Sequence, residues 1–104
     1  MNSQTRIEKQ VAALHVAIAS RIRAGDPFPI ARARDNLQRW KIQFGGELPA
    51  AYIEWVDLLA SGDESSILAV LLGHDEDAVR RRSNSPFTGV LNTAERLKIM
   101  RHAA

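Results

Sequence analysis

Apolar residues recur at helical spacing from the start of the chain. Ile7, Val11, Leu14, Ile18 and Ile22 are separated by four, three, four and four positions and fall on one stripe of an α-helix. Thr5 and Glu8 have the spacing of a capping box, with a start near Ser3 as the alternative. Gly25, followed by Asp26-Pro27, predicts a stop and a new start. A second stripe, Ile30, Ala33, Leu37, Trp40 and Phe44, predicts a helix over 29–44 that Gly45-Gly46 closes. Two helices joined by so tight a turn predict an αα-hairpin.

The pattern continues through shorter elements. A third helix is predicted over 49–60, with Tyr52, Trp55, Val56, Leu58 and Leu59 as its packing residues. The run Ile67–Leu72 is apolar on every side, so its periodicity also fits a buried strand. Helical neighbours and the lack of a partner strand favour a central helix over 65–72. A fifth helix is predicted over 75–82. Asn92-Thr93-Ala94-Glu95 is a capping box opening a last helix to about His102, with Leu97 and Met100 inward. Between these two lies Ser83–Leu91, a turn followed by the apolar Phe87-Thr88-Gly89-Val90-Leu91. An apolar loop has to pack, and Phe87, Val90 and Leu91 are expected to fix it as a plug at one end of the bundle. The expected fold is all-α: a compact bundle of five or six helices with an N-terminal αα-hairpin and a helix-turn-helix-like packing unit.

The length of 104 residues predicts a single helical domain over 1–104, small enough that dimerisation would stabilise it. Cysteine is absent, which removes disulfides and thiolate chemistry. The polar start and the lack of a long apolar run predict a cytoplasmic protein without a membrane segment. The net charge is only +2, but it is sorted along the chain. Residues 1–44 hold eight basic and three acidic side chains. Residues 45–79 hold eight acidic and none basic, and residues 80–104 six basic and one acidic. Such blocks pair within one molecule or between two, and the order of residues alone leaves both arrangements open.

Ala69, Gly73 and Val79 have the spacing of the small residue, turn glycine and buried β-branched residue of a helix-turn-helix. Arg80, Arg81 and Arg82 would then lie on the second helix. Asp75, Glu76 and Asp77 would occupy its start, where they repel phosphate, and Arg82 falls where an apolar group belongs. A packing unit is therefore preferred to a DNA reader. The arginine triplet has three readings: solvated charge, a docking patch for an acidic partner, or phosphate contacts.

Nothing in the chain compels a reaction. His15, His74 and His102 sit in different elements without metal-ligand spacing, and Glu54 and Asp57 share a spacing common on solvated helices. His15, beside the first stripe, is expected to be partly buried or at the surface. No catalytic, cofactor or metal residue is assigned, and the protein is expected not to be an enzyme.

Ala33–Trp40 and Ser83–Leu91, followed by Glu95-Arg96, carry a resemblance to small helical regions of bacterial antitoxin-like or regulator-associated proteins. The most distinctive part is Ser85-Pro86-Phe87-x-Gly89-Val90-Leu91 before the capped helix, and the likeness covers most of residues 11–101. Related regions follow a separate DNA-binding domain or stand alone. The first helix is expected to begin too near Met1 to leave room for such a domain, so that role is not expected to carry over. The resemblance implies a non-enzymatic module that touches a protein encoded nearby. A homodimer is the second expectation and a helix-turn-helix DNA-binding regulator the alternative function. Arg80, Arg81, Arg82 and Arg96 are the expected interaction residues.

Overall fold

The computed structural model describes residues 3–103. Among them are six α-helices and no strand: α1 (Ser3–Arg23), α2 (Phe28–Gln43), α3 (Ala50–Ala60), α4 (Glu64–Leu72), α5 (Glu76–Arg82) and α6 (Thr93–Ala103). The run Ile67–Leu72 is helical, as its neighbours imply. Thr5 lies inside α1 rather than at its cap. The reciprocal box at the start of α6 forms as predicted: Asn92 N–H donates to Glu95 Oε1 at 3.0 Å, and Glu95 N–H to Asn92 Oδ1 at 2.8 Å.

The longest helix organises the rest. α1 packs most extensively on α6 and α4, while α2 packs on α3. The short turn joins α1 to α2 as expected, and α2 packs on α1 nearly as much as on α3. One apolar cluster unites Ile18, Ala19 and Ile22 of α1 with Ala33 and Leu37 of α2, Trp55 and Leu59 of α3, and Ile67 and Leu71 of α4. Phe87, Val90 and Leu91 enter the same cluster from the loop before α6. Four expected packing positions are exposed instead: Ile7, Phe44, Val56 and Leu97, at 48%, 54%, 38% and 55%. Phe44 lies just beyond the end of α2, and Ile7 and Leu97 are each the fifth residue of their helix.

The helix-turn-helix-like unit is present with altered chemistry. α4 and α5 pack closely, yet Ala69 is exposed and Val79 only half-buried; Ala78 is the small buried residue. Gly73 is needed for space and not for a left-handed turn, since its φ is −68°. A Cβ there would sit 2.6 Å from Ala69 O and 3.0 Å from the Ala78 Cβ.

The fold also explains part of the charge sorting. Asp63 and Asp75 cap α4 and α5 through the backbone N–H groups of Ser65 and Ala78, and Glu64, Glu76 and Asp77 stand in the first turns. Of the three helix N-termini in the acidic block, those of α4 and α5 carry acidic residues, while Arg21, Arg23 and Arg101 stand in last turns. Each sign thus meets the favourable end of the helix dipole.

Candidate functional site

The loop between α5 and α6 is fastened from three sides. Asn36, buried on α2, donates through Nδ2 to Pro86 O and Thr88 O, both at 2.8 Å, and its Oδ1 accepts from Arg39. Arg21 on α1 donates to Val90 O at 2.9 Å while pairing with Asp26 at 2.8 Å. Gly89, at φ +83°, lets the loop run against the Arg32 guanidinium, which lies 3.0 Å from where a Cβ would stand. The Phe87 ring is edge-on to both Trp55 and His15, with centroids 5.7 and 6.3 Å away. Phe87, Val90 and Leu91 are each buried.

His15 is buried more completely than its place beside the stripe suggests, at 5% exposure. Its Nδ1 lies 2.7 Å from Val11 O and its Nε2 2.7 Å from Ser85 Oγ. A neutral ring donating to the carbonyl and accepting from the hydroxyl satisfies both contacts. Ser85 Oγ in turn accepts from Phe87 N–H at 3.2 Å. A serine hydroxyl on an imidazole is the first half of a nucleophile–base arrangement, but here a backbone carbonyl takes the place of an orienting carboxylate. The contact ties the loop to α1 across 70 positions of sequence. Beside it lies a recess of about 120 Å³ lined by Leu14, Thr88 and Arg96 among others.

This buried ring makes stability depend on pH. Burial holds the His15 imidazole below its ordinary pKa of 6.5; the Val11 carbonyl opposes that shift and the nearby Arg82 charge adds to it. Arg96, on the rim of the recess, is the other cation facing it. Below 6.5 the unfolded chain binds a proton that the folded chain refuses, so the His15 contribution is full above that value and is lost as pH falls toward the lowered one. Urea midpoints measured between about pH 7.5 and 5.5 should fall with pH in the wild type and stay flat in His15→Gln. Parallel profiles for the two proteins would remove His15 as the cause.

The arginine triplet divides. Arg80 makes a bidentate pair with Glu54 on α3, at 2.8 and 2.9 Å, and also reaches Asp77 at 2.7 Å. Arg81 Nε lies 3.1 Å from Asp77 and its Nη2 3.9 Å from Glu54. The hydrogen bonds from Arg80 hold the carboxyl groups of Glu54 and Asp77 below the ordinary carboxylate range. Arg82, expected outside with its neighbours, is instead buried at 6% exposure. Its Nη1 donates to Val70 O at 2.8 Å and Gly73 O at 2.7 Å, carbonyls that the end of α4 leaves without helical partners. Burial lowers the Arg82 pKa, and Asp75 works against that shift. Arg96 is exposed, 14 residues from Arg82, on a different helix.

The feature that sequence reading missed lies on the opposite pair of helices. A groove of about 380 Å³ runs between α2 and α3, with Leu37, Leu48 and Leu59 in its lining and Arg34, Gln38 and Lys41 along the α2 side. Val56 lines the α3 side and is 38% exposed; Ile53, one turn back, is 45% exposed. At the same end of α2, Ile42 is 73% exposed, and Phe44 follows it on the surface. Trp40, half-buried, packs on Tyr52 at a centroid distance of 5.2 Å, and Tyr52 carries Phe44 at 6.3 Å. The available signal was that Ile42 and Ile53 fit neither helical stripe.

Among the described residues, no group of three or more His, Cys, Asp or Glu is placed to hold a metal ion, and no helix is long and apolar enough to cross a membrane. Compared with protein-family models, curated proteins and solved structures, the chain matches none.

Proposed function

We propose that this chain is a non-enzymatic protein-interaction module that presents the α2–α3 face to a protein partner. The observation that carries this reading is the set of large apolar side chains left in water on or next to α2 and α3: Val56 in the lining of the groove, and Ile42, Phe44 and Ile53 elsewhere on the same two elements. Single exposed apolar residues are ordinary, but several on two helices that share an apolar groove are the usual mark of a contact surface. The antitoxin-like member of a bacterial protein pair is the specific form that the resemblance of Ser85–Leu91 and Glu95-Arg96 implies. The basic triplet contributes little to this reading, because Arg80 and Arg81 are engaged with Glu54 and Asp77 and Arg82 is inside. The same engagements count against the DNA-binding alternative, because the exposed face of α5 carries Glu76 and Asp77 beside Arg80.

Capture from extract of the native cell, with and without nuclease, tests the module. Wild-type bait should retain a protein after nuclease treatment, whether endogenous copies of the chain or another polypeptide. Bait carrying Val56→Glu should lose it. Recovery of nuclease-sensitive material alone, or equal recovery by both baits, would overturn the reading.

A further inference from the structure

We propose that the recess between α1 and the α5–α6 loop binds a small monocarboxylate, with its apolar body inside and its carboxylate on the Arg96 guanidinium. The recess shares no lining residue with the α2–α3 groove, so this inference goes beyond the module reading and is tested without it.

Size and lining set the body of the ligand. Leu14 and Ile18 come from α1, Phe87 and Leu91 from the loop, and the space between them is about 120 Å³. An apolar cavity of about 150 Å³ takes benzene, so a body of about four to six carbons suits this one. The polar atoms of the wall are already paired. His15 Nδ1 lies on Val11 O and its Nε2 on Ser85 Oγ, which also accepts from Phe87 N–H. A serine that gives its proton to His15 has none left for a ligand. The interior therefore favours a body that needs no hydrogen bonds.

The mouth sets the charge. No lining residue is acidic. Arg96 is exposed, and among the described residues no ion pair engages it. Its neighbour Glu95 turns back to the Asn92 N–H and borders a different depression, with Lys98 and His102. Other cations around the loop are engaged or set apart. Arg21 holds Asp26 and Val90 O, Arg39 pairs with Asp35, and Arg32 lies against Gly89 but outside the lining. One free guanidinium fork thus stands at the edge of an apolar recess, and a carboxylate matches such a fork with two parallel hydrogen bonds. A dianion needs a second lining cation, and His15, neutral in its two contacts, does not supply one.

Titration of the isotope-labelled chain with isobutyrate, 3-methylbutyrate and benzoate, followed by amide NMR shifts, tests this. The shifts should saturate and centre on Ser85–Leu91 and Arg96, with dissociation constants of roughly 0.1–3 mM, in keeping with so few ligand atoms. Isobutyramide and benzamide keep the shape without the charge and should bind at least about tenfold more weakly. Arg96→Gln should weaken the carboxylates by about tenfold or more and leave the amides unchanged, a split that loss of folding would not produce. The inference is overturned if none of the three acids saturates by about 20 mM. It is equally overturned if the amides bind as well as the acids, if the acids ignore Arg96→Gln, or if the shifts centre on Leu48 and Val56 instead.

Discussion

Replacing Phe87 with alanine should lower the unfolding free energy by about 3–5 kcal/mol, the range for removing a fully buried ring from a packed site. The ring is 4% exposed and is held between Trp55 and His15. Collapse into the space is limited because the loop backbone on either side is already tied by Asn36 and Ser85. A domain of this size has on the order of 5–15 kcal/mol in total, so the variant approaches its limit of stability. Thermal unfolding should show a fall of roughly 15 °C or more. A melt that does not move would mean that the loop is a surface strap and not a plug.

Arg82→Met should cost on the order of 2–4 kcal/mol, because it leaves two carbonyls at the end of α4 without donors, at roughly 1–3 kcal/mol each. The methionine restores most of the volume and removes a buried charge, which offsets part of the loss. The test is therefore comparative. Equilibrium urea unfolding of Arg82→Met should show a lower midpoint, with Arg82→Lys intermediate, since an ammonium reaches fewer of the carbonyls in one geometry. Arg80→Ala removes an exposed pair and should leave the midpoint nearly in place. If Arg80→Ala were the more damaging, the arginine of structural importance would have been misassigned.

Much of the fold could be read along the chain because helix formation is local. The caps at Asn92 and Glu95, the stops at Gly25 and Gly45-Gly46, and the stripes through Ile18, Leu37 and Trp55 all act within a turn or two. The six helices follow from such signals with ends shifted by about one residue, as fraying allows. The apolar loop was legible too, since Phe87, Val90 and Leu91 in sequence have no way to remain solvated together.

The chain order did not decide which end of a stripe is covered. Phe44 keeps its helical phase but is covered only in part, by Tyr52, and Leu97 stays exposed on α6. Nor could a count of arginines separate Arg82 from Arg80. The difference is that α4 ends its carbonyls beside one guanidinium and α3 presents Glu54 to the other.

The sequence by itself determined a bundle of five or six helices, the cap of the last one and a buried loop, and sorted its charge partly to suit helix ends. Tertiary structure decided that His15 meets Ser85, that one arginine of three is internal, and that Val56 borders a groove across from Lys41. Those outcomes depend on elements far apart in the chain meeting at fixed distances, and periodicity within one helix carries no information about what lies across from it.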